Sequence, residues 1–300
     1  MGRTEQAVDE VCANCGKSEV DDVKLKKCGC KLVQYCSVDC QKNHRKQHKR
    51  ECKRRAAEIR DDNLFRQPDE SHLGECPICC LPLPLDLKKS TVNTCCSNRI
   101  CDGCCYADDL RMERQGLGHK CAFCREPVPE THEEAHQNEM KRAEANDPLA
   151  LYNVGRKRYR EGDYDGAFEY FTKAARLGGI QAHHNLSVMY GEGLGVEQDA
   201  KKKVYHLEEA AIGGHPIARY NLGCHEGRNG KNDRAAKHFI IAAKLGLDGA
   251  LDKVKEGFQM GIVSKEEYAA TLRGHQAAVD ATKSIQRDAA YAFFKRKGLS

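Results

Sequence analysis

ALYNVG, from Ala150 to Gly155, returns as AHHNLS from Ala182 to Ser187, as ARYNLG from Ala218 to Gly223 and, more faintly, as ALDKVK from Ala250 to Lys255. The intervals are 32, 36 and 32 residues, and a period of that size decides the fold before any local propensity does. A second signature keeps step with the first. Alanine pairs at Ala174-Ala175, Ala210-Ala211 and Ala242-Ala243 follow each start by 24, 28 and 24 residues and lead into Gly178, Gly213 and Gly246. Two helices per repeat are implied: small alanines let paired helices approach closely, and the glycines supply helix ends and turns. The four extra residues of the second unit fit in its Gly191-Glu-Gly-Leu-Gly-Val loop.

Upstream of this array the chain is built on other chemistry. Of 18 cysteines, all but Cys224 lie between Cys12 and Cys124. Disulfides need an oxidising compartment, and the opening MGRTEQAVDE lacks the apolar core of a secretory signal, so reduced thiols and a cytoplasmic or nuclear location are expected. Gly2 carries no myristoylation motif, because Gln6 stands where that motif wants Ser or Thr. No apolar run approaches the roughly 18 residues of a membrane span. With 6% aromatic residues and no Trp, an aromatic-lined enzyme pocket is not expected, and no P-loop, GxSxG or HExxH string occurs.

The thiols come in pairs. Cys12 and Cys15, Cys28 and Cys30, Cys36 and Cys40, and His48 with Cys52 make eight ligands in order. Two ligands two to four residues apart reach one ion from a tight turn or one helix face, and zinc takes four such ligands in a tetrahedron. Eight ligands imply two ions. The string YCSVDCQKNHRKQHKREC, Tyr35 to Cys52, resembles the MYND zinc finger. That resemblance implies interleaved ligation, with Cys12, Cys15, Cys36 and Cys40 on one ion and Cys28, Cys30, His48 and Cys52 on the other. It also implies a short peptide ligand rather than DNA. From Lys42 to Arg60 nine Lys or Arg oppose only Glu51 and Glu58; the run is read as the solvated face of a helix entering a linker, with phosphate attraction or nuclear import as the other reading.

A second series runs Cys76 and Cys79, Cys95 and Cys96, Cys101 and Cys104, Cys121 and Cys124, again a strong metal pattern. It resembles a RING finger. The cross-brace of that family implies Cys76, Cys79, Cys101 and Cys104 on one ion, with Cys95, Cys96, Cys121 and Cys124 on the other. Asn98 occupies the usual histidine position, so the doublet is taken as the second pair. His119 could replace one of its members, and Cys80 or Cys105 could compete through a one-residue slip. Those two, with Cys224, otherwise read as small apolar fillers. The resemblance implies two partner-facing residues. Ile78, inside the first pair, would contact a ubiquitin-conjugating enzyme, and Arg125, after the last ligand, would bridge that enzyme and ubiquitin. Four zinc ions on fifteen thiolates and one histidine also cancel the formal charge of +5, so global basicity is no argument for nucleic acid.

The repeats resemble the Sel-one-like repeat, a relative of the tetratricopeptide repeat, which implies a curved solenoid whose concave face takes a protein. Asn153, Asn185 and Asn221 recur in register, either gripping a bound backbone or bracing the helix pair. Six segments are expected: a MYND-type finger at 12–52, a basic linker at 53–75, a RING-like finger at 76–126 and an acidic helical connector at 127–146. Repeats follow at 147–260, then a capping helix and tail at 261–300, with Ser264-Lys-Glu-Glu opening that helix and Lys295 to Gly298 fraying. The fold class is therefore two small zinc-stapled α+β modules followed by an all-α helical-repeat solenoid. The function expected is a zinc-binding adaptor for proteins, with a RING-type ubiquitin ligase that holds its client on the repeats as one reading and a non-enzymatic scaffold as the other. A lysine methyltransferase, as in some MYND proteins, lacks its motifs here.

Overall fold

The computed structural model describes residues 11–18, 24–116 and 118–298; the N-terminal decapeptide that bears on secretion and acylation lies outside them. The chain divides into two compact units, Met1–Arg66 and Gln67–Ser300.

The first unit has little regular structure before its helix. Strands β1 (Lys26–Lys27) and β2 (Gln34–Tyr35) pair antiparallel, with Lys26 opposite Tyr35, and α1 spans Val38–Leu64. Ser37 caps α1 by accepting from the Cys40 backbone N–H at 3.1 Å, which fixes Cys40 in the first turn of the helix. The helix runs well past the final ligand, Cys52, into residues expected as linker. The reason is local: Ala56, Ala57 and Glu58 are good helix formers, and no Gly or Pro occurs until Pro68. Glu58 pairs with Arg54 and Arg55 on a face that stays in solvent, as the charge run implied.

In the second unit, β3 (Ser90–Asn93) and β4 (Asn98–Cys101) form a hairpin with Ser90 opposite Cys101 and Asn93 opposite Asn98. Helix α2 (Asp102–Gln115) follows and stops at Gly116, whose φ of 63° ends it in the left-handed region. The core here is Cys76, Leu83, Ile100, Cys101, Cys104 and Cys121, two aliphatic side chains among four cysteines. The acidic connector contains α3 (His132–Glu144), capped by Thr131.

Helix pairs then stack: α4 (Pro148–Arg160) with α5 (Tyr164–Arg176), α6 (Ile180–Glu192) with α7 (Ala200–Ile212), and α8 (Pro216–Arg228) with α9 (Asn232–Lys244). A fourth pair, α10 (Asp248–Gln259) and α11 (Lys265–Ala281), closes the stack. Asp147, Asp163 and Asp199 cap α4, α5 and α7, and Ser264 with Glu267 forms the expected capping box on α11. The repeated alanines are where they must be: Ala150, Ala182, Ala218 and Ala250 open each pair fully buried, as do Ala174, Ala210 and Ala242. In the first and third signatures the sixth residue is glycine because an aromatic ring lies on it. A Cβ on Gly155 would stand 2.8 Å from the Phe171 ring, and one on Gly223 would stand 2.6 Å from Phe239. One glycine assignment shifts by a residue. In the middle repeat Gly214, not Gly213, takes the positive φ (82°), while Gly213 is bare because Ile180 packs against it.

The tail holds a further helix, α12 (Ile285–Arg296), started by Ser284, whose hydroxyl accepts from the Arg287 backbone N–H. Lys295 and Arg296 therefore lie in helix rather than in a frayed end. Helix α12 packs against α2, well away in sequence from its neighbours.

Candidate metal centres

Four of the ligand pairs, those that begin at Cys12, Cys28, Cys76 and Cys121, sit on the same kind of turn. The Cys12 N–H donates to the Lys17 carbonyl and accepts, through its own carbonyl, from the Gly16 N–H, both at 2.8 Å. Cys28 repeats this with Val33 and Lys31, Cys76 with Leu81 and Cys80, and Cys121 with Glu126 and Arg125. In each turn the residue after the second cysteine adopts positive φ: Gly16 at 73°, Lys31 at 61°, Cys80 at 54° and Arg125 at 64°. Ser97, after the doublet, does the same at 54°. An L-residue avoids that region at a cost of roughly 1–2 kcal/mol, and it is held there when the surroundings over-determine the turn.

These turns aim their donors at four points. Cys12, Cys15, Cys36 and Cys40 come together; so do Cys28, Cys30, His48 and Cys52; Cys76, Cys79, Cys101 and Cys104; and Cys95, Cys96, Cys121 and Cys124, with the donor atoms of each set within 4.8 Å of one another. Sulfur separations of 3.6 Å (Cys15 to Cys36, Cys28 to Cys52), 3.8 Å (Cys79 to Cys101), 3.9 Å (Cys96 to Cys121) and 3.4 Å (Cys95 to Cys124) are far beyond a disulfide bond of about 2.0 Å. They match the edge of a tetrahedron with zinc–sulfur bonds of about 2.3 Å, which is about 3.8 Å. His48 is buried and turns Nε2 to Cys30 Sγ at 3.1 Å. The His44 ring stacks on His48 and takes a hydrogen bond, 3.0 Å long, with the Tyr35 hydroxyl, which fixes the imidazole from behind. The four clusters suit four zinc ions.

Their acidities show what a cation would do there. Burial opposes ionisation of Cys12, yet the backbone N–H groups of Cys36, Cys15 and Asn14 bring its thiol down to about 6. Cys76 falls to about 7 in the same way, through Cys101, Cys79 and Ile78. Their neighbours move oppositely. Hydrogen bonding to Cys40 and Cys15 lifts Cys36 to about 12, burial beside Cys28 and Cys30 lifts Cys52 to about 12, and burial pushes Cys95 and Cys104 higher still. Within a set, a thiol that receives backbone N–H bonds ionises readily, while a partner bonded to it or buried beside it is held protonated. A dication removes that restraint and releases the protons.

The alternatives to the doublet are placed elsewhere. His119 is exposed and faces Asp109 at 3.8 Å. Cys80 is the exposed positive-φ residue of its turn. Cys105 packs against the cysteine core, and burial lifts its thiol to about 12.

Ile78 is 42% exposed at the tip of its turn, and Phe123, which no sequence motif singles out, is 46% exposed within the Cys121–Cys124 turn. Arg125 makes a two-pronged pair with Asp108 on α2, both contacts at 2.9 Å. The three asparagines are half-buried: Asn153 lies near the Glu139 carboxylate on α3 and Asn185 near His184.

Comparison with known families fits this geometry. The model for the MYND finger matches residues 12–52, and that for the Sel1 repeat matches 148–179, 180–215 and 216–247. The chain joins a MYND finger to Sel1 repeats. The matched repeat units begin within two residues of the sequence signatures Ala150, Ala182 and Ala218. A curated relative, named "Putative beta-lactamase HcpC" from Helicobacter pylori, is 43% identical over 56 residues, 19% of each chain; the match thus spans about a fifth of that protein. Among solved structures, a Sel1 repeat protein from Oxalobacter formigenes covers 64% of this chain and 86% of its own at 21% identity and a TM-score of 0.43. The protective antigen c5321 of uropathogenic Escherichia coli, which displays an SLR fold, covers 58% of this chain and 37% of its own at 20% identity and a TM-score of 0.42.

Sequence reasoning misses two arginines that fasten the second cysteine module. Arg142 of α3 donates to Ser97 Oγ at 2.7 Å and to the Cys95 carbonyl at 3.4 Å, while also pairing with Asp147. Arg287 of α12 donates to the carbonyls of Leu81 and Pro82. No motif announces a residue whose partner lies tens or hundreds of positions away. Among the described residues, no helix is long and apolar enough to cross a membrane.

Proposed function

We propose that this protein is a zinc-dependent adaptor that holds a protein client on its Sel1 repeats while its zinc modules engage further proteins, the MYND finger taking a short peptide. Zinc would be held by Cys12, Cys15, Cys36 and Cys40; by Cys28, Cys30, His48 and Cys52; by Cys76, Cys79, Cys101 and Cys104; and by Cys95, Cys96, Cys121 and Cys124. The observation that supports the adaptor reading is the coexistence, in one chain, of four donor clusters of tetrahedral size and stacked helix pairs, both of them frames for presenting surface rather than enclosing a substrate.

A ubiquitin-ligase reading of residues 76–126 is favoured by a specific feature, the exposure of Ile78 and Phe123 on the tips of two zinc turns. A RING-type ligase acts by positioning a charged conjugating enzyme rather than by a nucleophile of its own. In this reading Ile78 contacts the conjugating enzyme, and Arg125 leaves Asp108 to bridge enzyme and ubiquitin. The scaffold reading keeps Arg125 as a brace between the last turn and α2. Asn153, Asn185 and Asn221 serve the client groove in either case, or brace the helix pairs.

The full chain, loaded with zinc and mixed with activating enzyme, a panel of conjugating enzymes and ubiquitin, decides between them. Ubiquitin chains that vanish in Ile78→Ala and Arg125→Ala establish the ligase; no product across the panel leaves the adaptor. Affinity capture that returns the same protein with the full chain and loses it when the repeats are deleted supports the client site.

A further inference from the structure

Helix α12 lies far along the chain from the second cysteine module, yet it packs on that module's helix α2. Its approach is close. A Cβ on Gly103 would stand 2.8 Å from Arg287 Cγ and 2.9 Å from the Arg287 backbone N, so the first turn of α2 and the first turn of α12 meet at a residue without a side chain. Farther along, Tyr106 lies against Phe293 and Phe294, with ring centres 4.7 and 6.1 Å apart.

Arg287 reaches through that contact into the first zinc turn. Its Nη1 donates to the Pro82 and Thr282 carbonyls, both at 2.7 Å, and its Nη2 donates to the Leu81 carbonyl at 3.1 Å and to Cys79 Sγ at 3.4 Å. The guanidinium thus holds the backbone just after the first pair and one of its sulfurs together. Leu81 is also the acceptor of the Cys76 N–H bond that closes the turn. At the module's other cluster Arg142 approaches differently, touching the Cys95 carbonyl and the Ser97 hydroxyl.

We infer that Arg287 is a positioning residue for the zinc held by Cys76, Cys79, Cys101 and Cys104, and that loading of this site and docking of α12 are one equilibrium. The inference rests on zinc at that cluster. Once the ion's own charge is counted, four thiolates around a dication carry a formal net charge of about −2. A cationic fork donating to one of those sulfurs offsets part of that charge and steadies the sulfur as a ligand. A neutral thiol accepts the same N–H weakly. The contact therefore differs between the loaded and empty states, which is the condition for coupling. By reciprocity, whatever α12 adds to zinc affinity, zinc adds to the docking of α12. The last helix becomes a sensor of one metal site among four.

The experiment uses the full chain loaded with zinc and challenged with a chelator. Alkylation of each cysteine is followed in time by peptide mass spectrometry, and hydrogen exchange is followed over residues 285–296. In Arg287→Ala, the thiols of Cys76, Cys79, Cys101 and Cys104 become reactive about ten-fold faster than in the parent chain, while the other three sets keep their rates. Arg287→Lys, which keeps the charge and loses the fork, falls between. In the parent chain, exchange over α12 rises as those four thiols become reactive and not before. Equal labelling rates in parent and Arg287→Ala overturn the inference, and so does α12 exchange that ignores the stripping of the site. If Arg287→Ala does not fold, Arg287→Lys and the exchange of the parent chain decide the matter. Thiols of this set that label at once in the parent without chelator would remove zinc itself, and with it both this inference and the ligand assignment.

Discussion

The two halves of this chain solve the same problem, the entropy of ordering a backbone, with different materials. The Sel1 repeats bury Ala150, Leu151, Val154, Ala167, Phe171 and Ala174 in one pair and continue through Ala182, Leu186 and Met189 into the next. The second cysteine module buries four cysteines with Leu83 and Ile100, and the MYND finger buries Cys12, Cys28 and Cys30 around Tyr35. Apolar area at about 25 cal/mol per Å² sustains the first kind of core. The second kind has too little of it, and metal–thiolate bonds must supply the rest. Stability in the repeats is spread over many small contacts, whereas in the cysteine modules it is concentrated at four points.

Removing zinc is the strongest way to break that contrast. A structural zinc contributes about 10–16 kcal/mol at neutral pH, more than a small module keeps in reserve. A chelator should therefore abolish hydrogen-exchange protection across residues 28–52 and 76–124 while α5 to α9 keep theirs. Retained protection in both cysteine segments would mean that their cores suffice without metal.

A reciprocal change in the repeats should leave the metal alone. Phe171 is fully buried between Gly155 and Tyr152, and Phe171→Ala should cost about 3–5 kcal/mol. It is read as a fall in the denaturant midpoint with zinc content unchanged. Loss of zinc along with stability would show that repeats and second cysteine module unfold as a single unit.

Acid sharpens the comparison from another side. His72 stacks on His215 and His215 on His184, with ring centres 4.0 and 4.5 Å apart. Burial and the neighbouring His184 push His72 down to about 4 from an ordinary 6.5. The folded state thus refuses a proton that the unfolded state accepts, so stability is full above pH 6.5 and declines as the pH falls toward 4. The loss reaches about 3 kcal/mol for a depression of this size. His72→Phe should flatten the decline, measured as the denaturant midpoint between pH 6.5 and 4.5. Zinc release has the same sign and another cause, since thiols such as Cys36 and Cys52, held near 12 without metal, reclaim their protons.

How much of this is legible in the sequence follows from the range of the interactions. The repeats are readable because each signature is local and recurs, so Ala150, Ala182 and Ala218 identify one another. The ligand pairs are readable because two donors on one turn must be close in sequence. The second pair of the second module, Cys95 and Cys96, can be named from sequence only by elimination, and it is the set the structure gathers. What escapes is long-range. Arg287 acts across 208 positions on Cys79, α12 leaves its neighbours for α2, and Phe123 shows its exposure only once the turn is folded. The continuation of α1 past Cys52 differs in kind, because its helix formers are visible in the sequence while the last ligand suggests an earlier boundary.

The smallest expected effect tests whether metal excuses local strain. In the repeats the positive-φ positions at helix ends, Gly178 and Gly246, are already glycine. In the zinc turns Lys31, Cys80, Ser97 and Arg125 keep side chains at the same conformation. If zinc over-determines those turns, the strain persists in the folded state and reduces affinity slightly instead of preventing the fold. Lys31→Gly relieves roughly 1–2 kcal/mol of native strain and gives back about 0.5–1 kcal/mol through the freer unfolded chain. The net gain of roughly 0.5–1 kcal/mol should appear as zinc held about two- to five-fold more tightly by Cys28, Cys30, His48 and Cys52 in competition with a chelator. Gly178→Ala, with no metal to hold its turn, should lower the denaturant midpoint of the repeats by a similar free energy. Equal and opposite shifts would establish that the two halves meet the same backbone constraint, one with the right residue and one with an ion. Weaker zinc binding in Lys31→Gly would mean instead that the lysine side chain itself supports the site.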